Sequence, residues 1–182
     1  MVDQAKLLGV TIASDMTWSL HVEDVIAKSS RALYMLYILK RFRPQQEYMV
    51  KVYTTYIRPL LEYCAPVFHA SLTAKQAQQL ERIQKRALKI IAGYDTSYQQ
   101  ILSQFNLDTL ADRRQMLCLR LGKQLLNSNV HRDLLPKFRG TISGRRTRRR
   151  DTLQTFCCGA RLRKSSVPLM TSLINSDIVS SR

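Results

Sequence analysis

"TAKQAQQLERIQKRALKIIAG", residues 73–93, decides the fold of this chain. Leu80, Ile83, Ala87, Ile90 and Ile91 recur at the three- and four-residue spacing that gathers side chains on one side of an α-helix. Thr73 suits the N-cap, where its hydroxyl can accept from a first-turn N–H, and Gly93 suits the stop. The other side carries Arg82, Lys85, Arg86 and Lys89, with Glu81 the sole acid among them. A face turned only to water normally mixes signs, with a carboxylate one turn from each cation. Cations at this spacing can meet successive phosphates, which require charge and reach but no reading of bases. On the helix alone, phosphate contact and plain solvation stand level.

The flanks repeat the helical period. Val22, Val25, Ile26, Leu33, Leu36 and Tyr37 predict a helix over 20–42, stopped by Arg43-Pro44. Met49, Val52, Tyr53, Tyr56, Ile57 and Leu60 predict a second over 45–61, which Pro59 should kink or end. Ala65-Pro66-Val67 reads as an extended break. Downstream, a short helix is expected over 97–104 and a longer one over 109–126, with a last one over 169–178. Residues 6–14 read as a short strand, with Leu7, Val10 and Ile12 apolar and Gly9 interrupting. The expected fold is mainly α, a helical bundle with a strand fragment in front and a basic, Arg-rich extension behind. No internal repeat is found.

Composition narrows the partners. Of 182 residues 45% are apolar, enough for a core. Lys and Arg number 29 against 13 Asp and Glu, a net charge of +16. Such a chain repels itself unless a polyanion neutralises it, which points first to nucleic acid and second to an anionic membrane surface. Arg145, Arg146, Arg148, Arg149 and Arg150 form the densest basic run. The chain does not open on a signal peptide, and its apolar stretches fall short of the ~18 residues of a membrane span, so an intracellular, reduced setting is expected.

Catalytic and metal signals are weak. Cys64 and His69 lie five residues apart, but no third group or oxyanion site accompanies them, so a buried packing cysteine and a surface histidine are expected. His21 and His131 lack partners at ligand spacing, and Cys118, Cys157 and Cys158 form no C-x-x-C pair, so no metal is expected. The close acidic pairs, Glu23-Asp24 and Asp108/Asp112, stand at helix starts, where they complement the dipole.

Four stretches together resemble one family, the carboxy-terminal part of reverse transcriptases of non-LTR (LINE-type, jockey-like) retrotransposons. "KLLGVTIASDMTWSLHVEDV" (6–25) is similar to the family's Leu-Gly primer-grip hairpin and the Trp…His entry to the thumb. "YTTYIRPLLEYCAPVFHA" (53–70) follows, with Arg58-Pro59, Glu62-Tyr63-Cys64 and Pro66-Val67 in the family's order. "LERIQKRALKIIAGY" (80–94) and "LDTLADRRQMLCLRLGKQLL" (107–126) resemble the next two helices, and "RRTRRRDTLQTF" (145–156) is a weaker echo. The resemblance covers residues 6–135. Two departures are conservative: no aromatic precedes the Leu-Gly, and Phe68 stands where the family often has Trp.

The resemblance implies a primer-grip-like hairpin over 1–18, a thumb-like helical domain over 19–135 and a basic extension over 136–182. Leu8, Gly9 and Val10 correspond to the primer grip. The partners implied are RNA and DNA as template–primer, held by backbone contacts, together with the palm and fingers of the parent polymerase; no membrane is implied. Arg82, Lys85, Arg86 and Lys89 are the inferred contacts, and Arg145 to Arg150 a further anchor or import patch. The intact parent enzyme uses Mg2+ on palm aspartates, typically an aromatic-x-Asp-Asp turn, to neutralise charge during phosphoryl transfer. No Asp-Asp occurs in these residues, so the chain is expected to be inactive alone, with no cofactor of its own. Two alternatives stand beside this one: a decayed retroelement relic, and a helical protein-interaction module centred on residues 20–61.

Overall fold

The computed structural model describes residues 3–15, 17–143, 151–155 and 165–181. The chain is mainly α and opens on one hairpin. Strands β1 (Gln4–Leu7) and β2 (Val10–Ala13) pair antiparallel, with Leu7 opposite Val10. Leu8 (φ +48°) and Gly9 (φ +82°) both take left-handed backbone, which is how a two-residue turn matches the twist of its strands. The hairpin expected ahead of the helices is present; the stretch 6–14, which reads as one strand by its apolar pattern alone, is divided between its two strands, and Gly9 marks their turn.

Helix α1 (Ser19–Lys40) receives β2 on its first turns. Thr11 Oγ1 donates to the Asp24 carboxylate at 2.8 Å, and the Thr11 N–H to His21 Nδ1 at 3.4 Å. Val22, Val25, Leu33 and Leu36 are buried as their spacing predicts, whereas Tyr37 faces outward. Arg43 (φ +49°) and Pro44 then turn the chain.

The second helix departs most from expectation. Helix α2 (Gln46–Val52) widens into a π turn (Tyr53–Ile57) and resumes as α3 (Arg58–Glu62). The Arg58 N–H donates to the Tyr53 carbonyl five residues back. Pro59 has no N–H and its ring crowds the carbonyl one turn behind, and a wide turn just ahead of it relieves both demands. The helix therefore runs through Pro59 instead of ending there. The extra residue shifts the buried face to Met49, Tyr53, Ile57 and Leu61, and Tyr56 is left exposed.

The chain breaks at Tyr63-Cys64, where Cys64 takes φ +54°, and not at 65–67. Ala65–Phe68 is a helical turn, α4, with Pro66 in its first turn, where a missing N–H costs nothing. A 3₁₀ turn (His69–Ser71) follows.

Helices α5 (Ala74–Ala92) and α6 (Tyr98–Gln104) both start on capping boxes, Thr73 with Gln76 and Ser97 with Gln100. Helix α7 (Leu110–Asn127) starts with Thr109 Oγ1 accepting from the Asp112 N–H at 3.1 Å. Gly93 ends α5 with φ +110°.

Two compact units result, and the division falls inside α7. One holds Met1–Cys64 and Leu72–Arg113, with the hairpin, α1 to α3, α5 and α6; its core lies between α1, α5 and the π turn. The other holds Ala65–Ser71 and Arg114–Arg182. In it Cys118, Leu135, Leu153, Met170 and Ile174 form a small core, to which α9 (Ser166–Ser180) contributes Met170 and Ile174; a short helix, α8 (Arg139–Ser143), follows Phe138 at its edge. Asn175 clamps Leu153, its Oδ1 accepting from the Leu153 N–H and its Nδ2 donating to the Leu153 carbonyl. Among the described residues, no helix is long and apolar enough to cross a membrane.

Candidate nucleic-acid interface

Helix α5 turns its apolar side inward: Leu80, Ile83, Ala87, Leu88, Ile90 and Ile91 are all buried, which covers every residue expected on that face. The opposite side then has no choice but to face out. Arg82, Lys85 and Arg86 are exposed and Lys89 is half-buried, so the helix brings the four expected cations together along one stripe.

Glu81, the only acid on the helix, does not neutralise them. Its Oε1 takes the Tyr98 hydroxyl and lies 3.4 Å from the Leu110 N–H, which engages it with α6 and the start of α7. Among the described residues, none of the four cations forms an ion pair. Lys85 is partly committed, because its Nζ lies 5.0 Å from the centroid of the Tyr98 ring, a cation–π contact.

Beneath the stripe lies a polar network that the periodicity does not disclose. Tyr53 donates its hydroxyl to Gln84 Oε1, and Gln84 Nε2 donates to Tyr98 Oη at 2.8 Å and to the Asp108 carbonyl at 2.9 Å. Burial pushes both phenols well above the usual tyrosine range, and for Tyr98 the Glu81 carboxylate adds to the effect. They stay neutral donors at any physiological pH. The only sequence signal was a glutamine inside an apolar face.

The primer-grip-like residues are held by a different group. Leu8 is 81% exposed at the tip of the turn, and Val10 is buried on β2. Tyr63 donates its hydroxyl to the Leu8 carbonyl at 2.6 Å, and a Cβ on Gly9 would lie 3.5 Å from the Tyr63 ring. Next to it, Glu62 receives Arg113 Nε at 2.8 Å and Nη2 at 3.0 Å, with Arg58 Nε 3.8 Å away. That two-point bond raises the Arg113 pKa further. The Glu62-Tyr63 pair thus ties the helix end to both the hairpin turn and α7.

Several expectations change. Cys64 is half-buried, because the left-handed turn after α3 keeps it near the surface. His69 is half-buried where a surface position was expected, and burial, then the nearby Arg114 charge, lowers its pKa. His21 is a core residue, edge-on to Trp18 at 6.1 Å between ring centroids. Cys118 is fully buried, and burial pushes its thiol up to about 11. Arg145, Arg146, Arg148, Arg149, Arg150, Cys157 and Cys158 lie outside the described residues. Among the described residues no three of His, Cys, Asp and Glu converge as a metal ion requires, so no ligand set for Mg2+ is found there. No protein-family model, curated protein or solved structure matches the chain.

Proposed function

We infer that this chain grips the sugar–phosphate backbone of nucleic acid, as the primer-grip and thumb part of a non-LTR retrotransposon reverse transcriptase. The observation that carries the reading is the fate of Glu81. The sole carboxylate on α5 is turned toward Tyr98 and Leu110, and a row of cations is left to an external anion. A helix capped at its N-terminus and packed along its whole apolar side holds that row rigidly. A preformed helix avoids the backbone ordering that a flexible segment would undergo on binding. The tie from Tyr63 to Leu8 adds support, since it joins two stretches on which the family resemblance rests.

On this reading the cations meet phosphates, so binding is indifferent to sequence and falls steeply with salt. The palm aspartates and magnesium ions of the parent polymerase are not drawn from these residues, and the chain contributes grip without the chemical step. The test is the dissociation constant for an RNA–DNA hybrid measured across a salt series. Replacing Arg82, Lys85, Arg86 and Lys89 by Gln should flatten the log–log slope by roughly 0.9 for every phosphate no longer neutralised on duplex DNA, with a similar flattening on hybrid. Affinity that ignores salt, or a slope unchanged in the variant, sinks the reading.

A further inference from the structure

Helix α1 buries one stripe and offers solvent an unusual one. Tyr34 and Ile38 stand one helical turn apart, Phe42 follows in the turn just past the end of α1, and Met35 lies beside them; Tyr34 is 65% and Phe42 79% exposed. Tyr37 flanks the row, with the Arg41 guanidinium 5.6 Å from its ring centroid. From Lys28 to Arg43 the chain carries Lys28, Arg31, Lys40, Arg41 and Arg43 and no acid. Lys40 is occupied, donating its Nζ to the Ile90 carbonyl at the end of α5. Arg31, Arg41 and Arg43 remain exposed.

We propose that this face of α1 is a stacking platform for single-stranded nucleic acid. It presupposes the nucleic-acid reading of α5 but uses different residues and a different part of the ligand. A purely apolar partner has no use for three exposed guanidinium groups, and a duplex hides the base faces that the rings would meet. A single strand presents both at once, a π-face on every base and a charge on every phosphate. Tyr34 and Ile38 are about 6 Å apart along the helix axis, and Phe42 follows in the turn past its end, so the row is longer than the rise of one nucleotide. Arg41, beside the Tyr37 ring, stands where a phosphate next to a stacked base would be neutralised.

The experiment compares the full chain binding to a short oligothymidylate, to an abasic strand of equal phosphate number and to a duplex, at one salt concentration. Stacking predicts at least roughly fivefold tighter binding to oligothymidylate than to the abasic strand. The double variant Tyr34→Leu/Phe42→Leu keeps apolar area but lacks rings; it should abolish that preference and leave duplex affinity and thermal melting unchanged. Tyr34→Phe should retain the preference. Equal binding to the base-bearing and abasic strands, or a preference that survives the double Leu variant, overturns the platform and leaves the α5 interface standing if duplex binding still depends on its cations. Self-association that survives in Tyr34→Leu/Phe42→Leu and is lost in a Tyr34→Ala/Phe42→Ala variant gives the face to protein contact and also overturns it. Failure to bind any of the three ligands removes both readings.

Discussion

Gly122 shows how much can depend on a missing methyl. A Cβ there would lie 2.9 Å from Ile174 Cδ1 and 3.4 Å from Met170 Cβ, inside the small core that closes on Cys118 and Leu153. Gly122→Ala should lower stability by about 1–3 kcal/mol, as overpacking does, and Ile174→Val should recover part of it in the double variant. Urea denaturation reads both. His21 offers a second check. Burial lowers its pKa from the ordinary 6.5, so the folded state binds fewer protons than the unfolded state in the window just below that value. The stability contributed by neutral His21 is complete above pH 6.5 and is lost as pH falls through the folded pKa; His69, lowered for the same reason, acts in the same direction. Urea midpoints should therefore drop between about pH 7 and pH 5, and less so in His21→Gln. Gly122 gave no signal in the sequence, and His21 appeared there only as the histidine of the Trp…His stretch, with no sign of its burial. The packing role of a glycine in a helical run, or of a histidine near a helix start, becomes legible only when another segment is packed against it.

Helix ends set by capping residues were more legible than those inferred from proline. Thr73, Ser97 and Gly93 act through atoms at most four residues away, so their chemistry is written locally. Thr73→Ala should cost about 1 kcal/mol, read as a shift of the denaturation midpoint with unchanged slope. The apolar and basic sides of α5 were legible for the same reason, since a helix converts spacing into faces without outside help. What spacing leaves out is the partner of each side chain. That Glu81 turns to Tyr98, or that Gln84 joins Tyr53 to Tyr98, depends on segments that meet only after folding. The π turn was hidden for a subtler reason. Pro59 announces that a regular helix is impossible, but two remedies exist, ending the helix or widening it, and the burial of Ile57 and Leu61 selects the second.

At the scale of the molecule, charge and core oppose one another. A net +16 on 182 residues favours expansion, and screening relieves it. Sodium chloride raised from about 20 to 300 mM, across which the Debye length shrinks from about 20 Å to about 6 Å, should raise the melting temperature of the free chain while weakening its hold on hybrid. Opposite trends in one titration separate self-repulsion from binding; parallel trends would show that the charges are already compensated within the fold.

The widened turn in the second helix also has a genetic meaning. Met49, Tyr53, Ile57 and Leu61 advance by four residues each time, one position too many for a straight α-helix. Removing a single codon, that of Thr54 or Thr55, brings the same side chains to intervals of four, three and four, the spacing a regular helix prefers. The proline ring would then meet the carbonyl it now avoids, so the deletion should be tolerated only together with Pro59→Ala. This helix carries a dispensable register position paired with one residue that makes it indispensable, and an in-frame deletion there should be silent or damaging according to what stands at position 59.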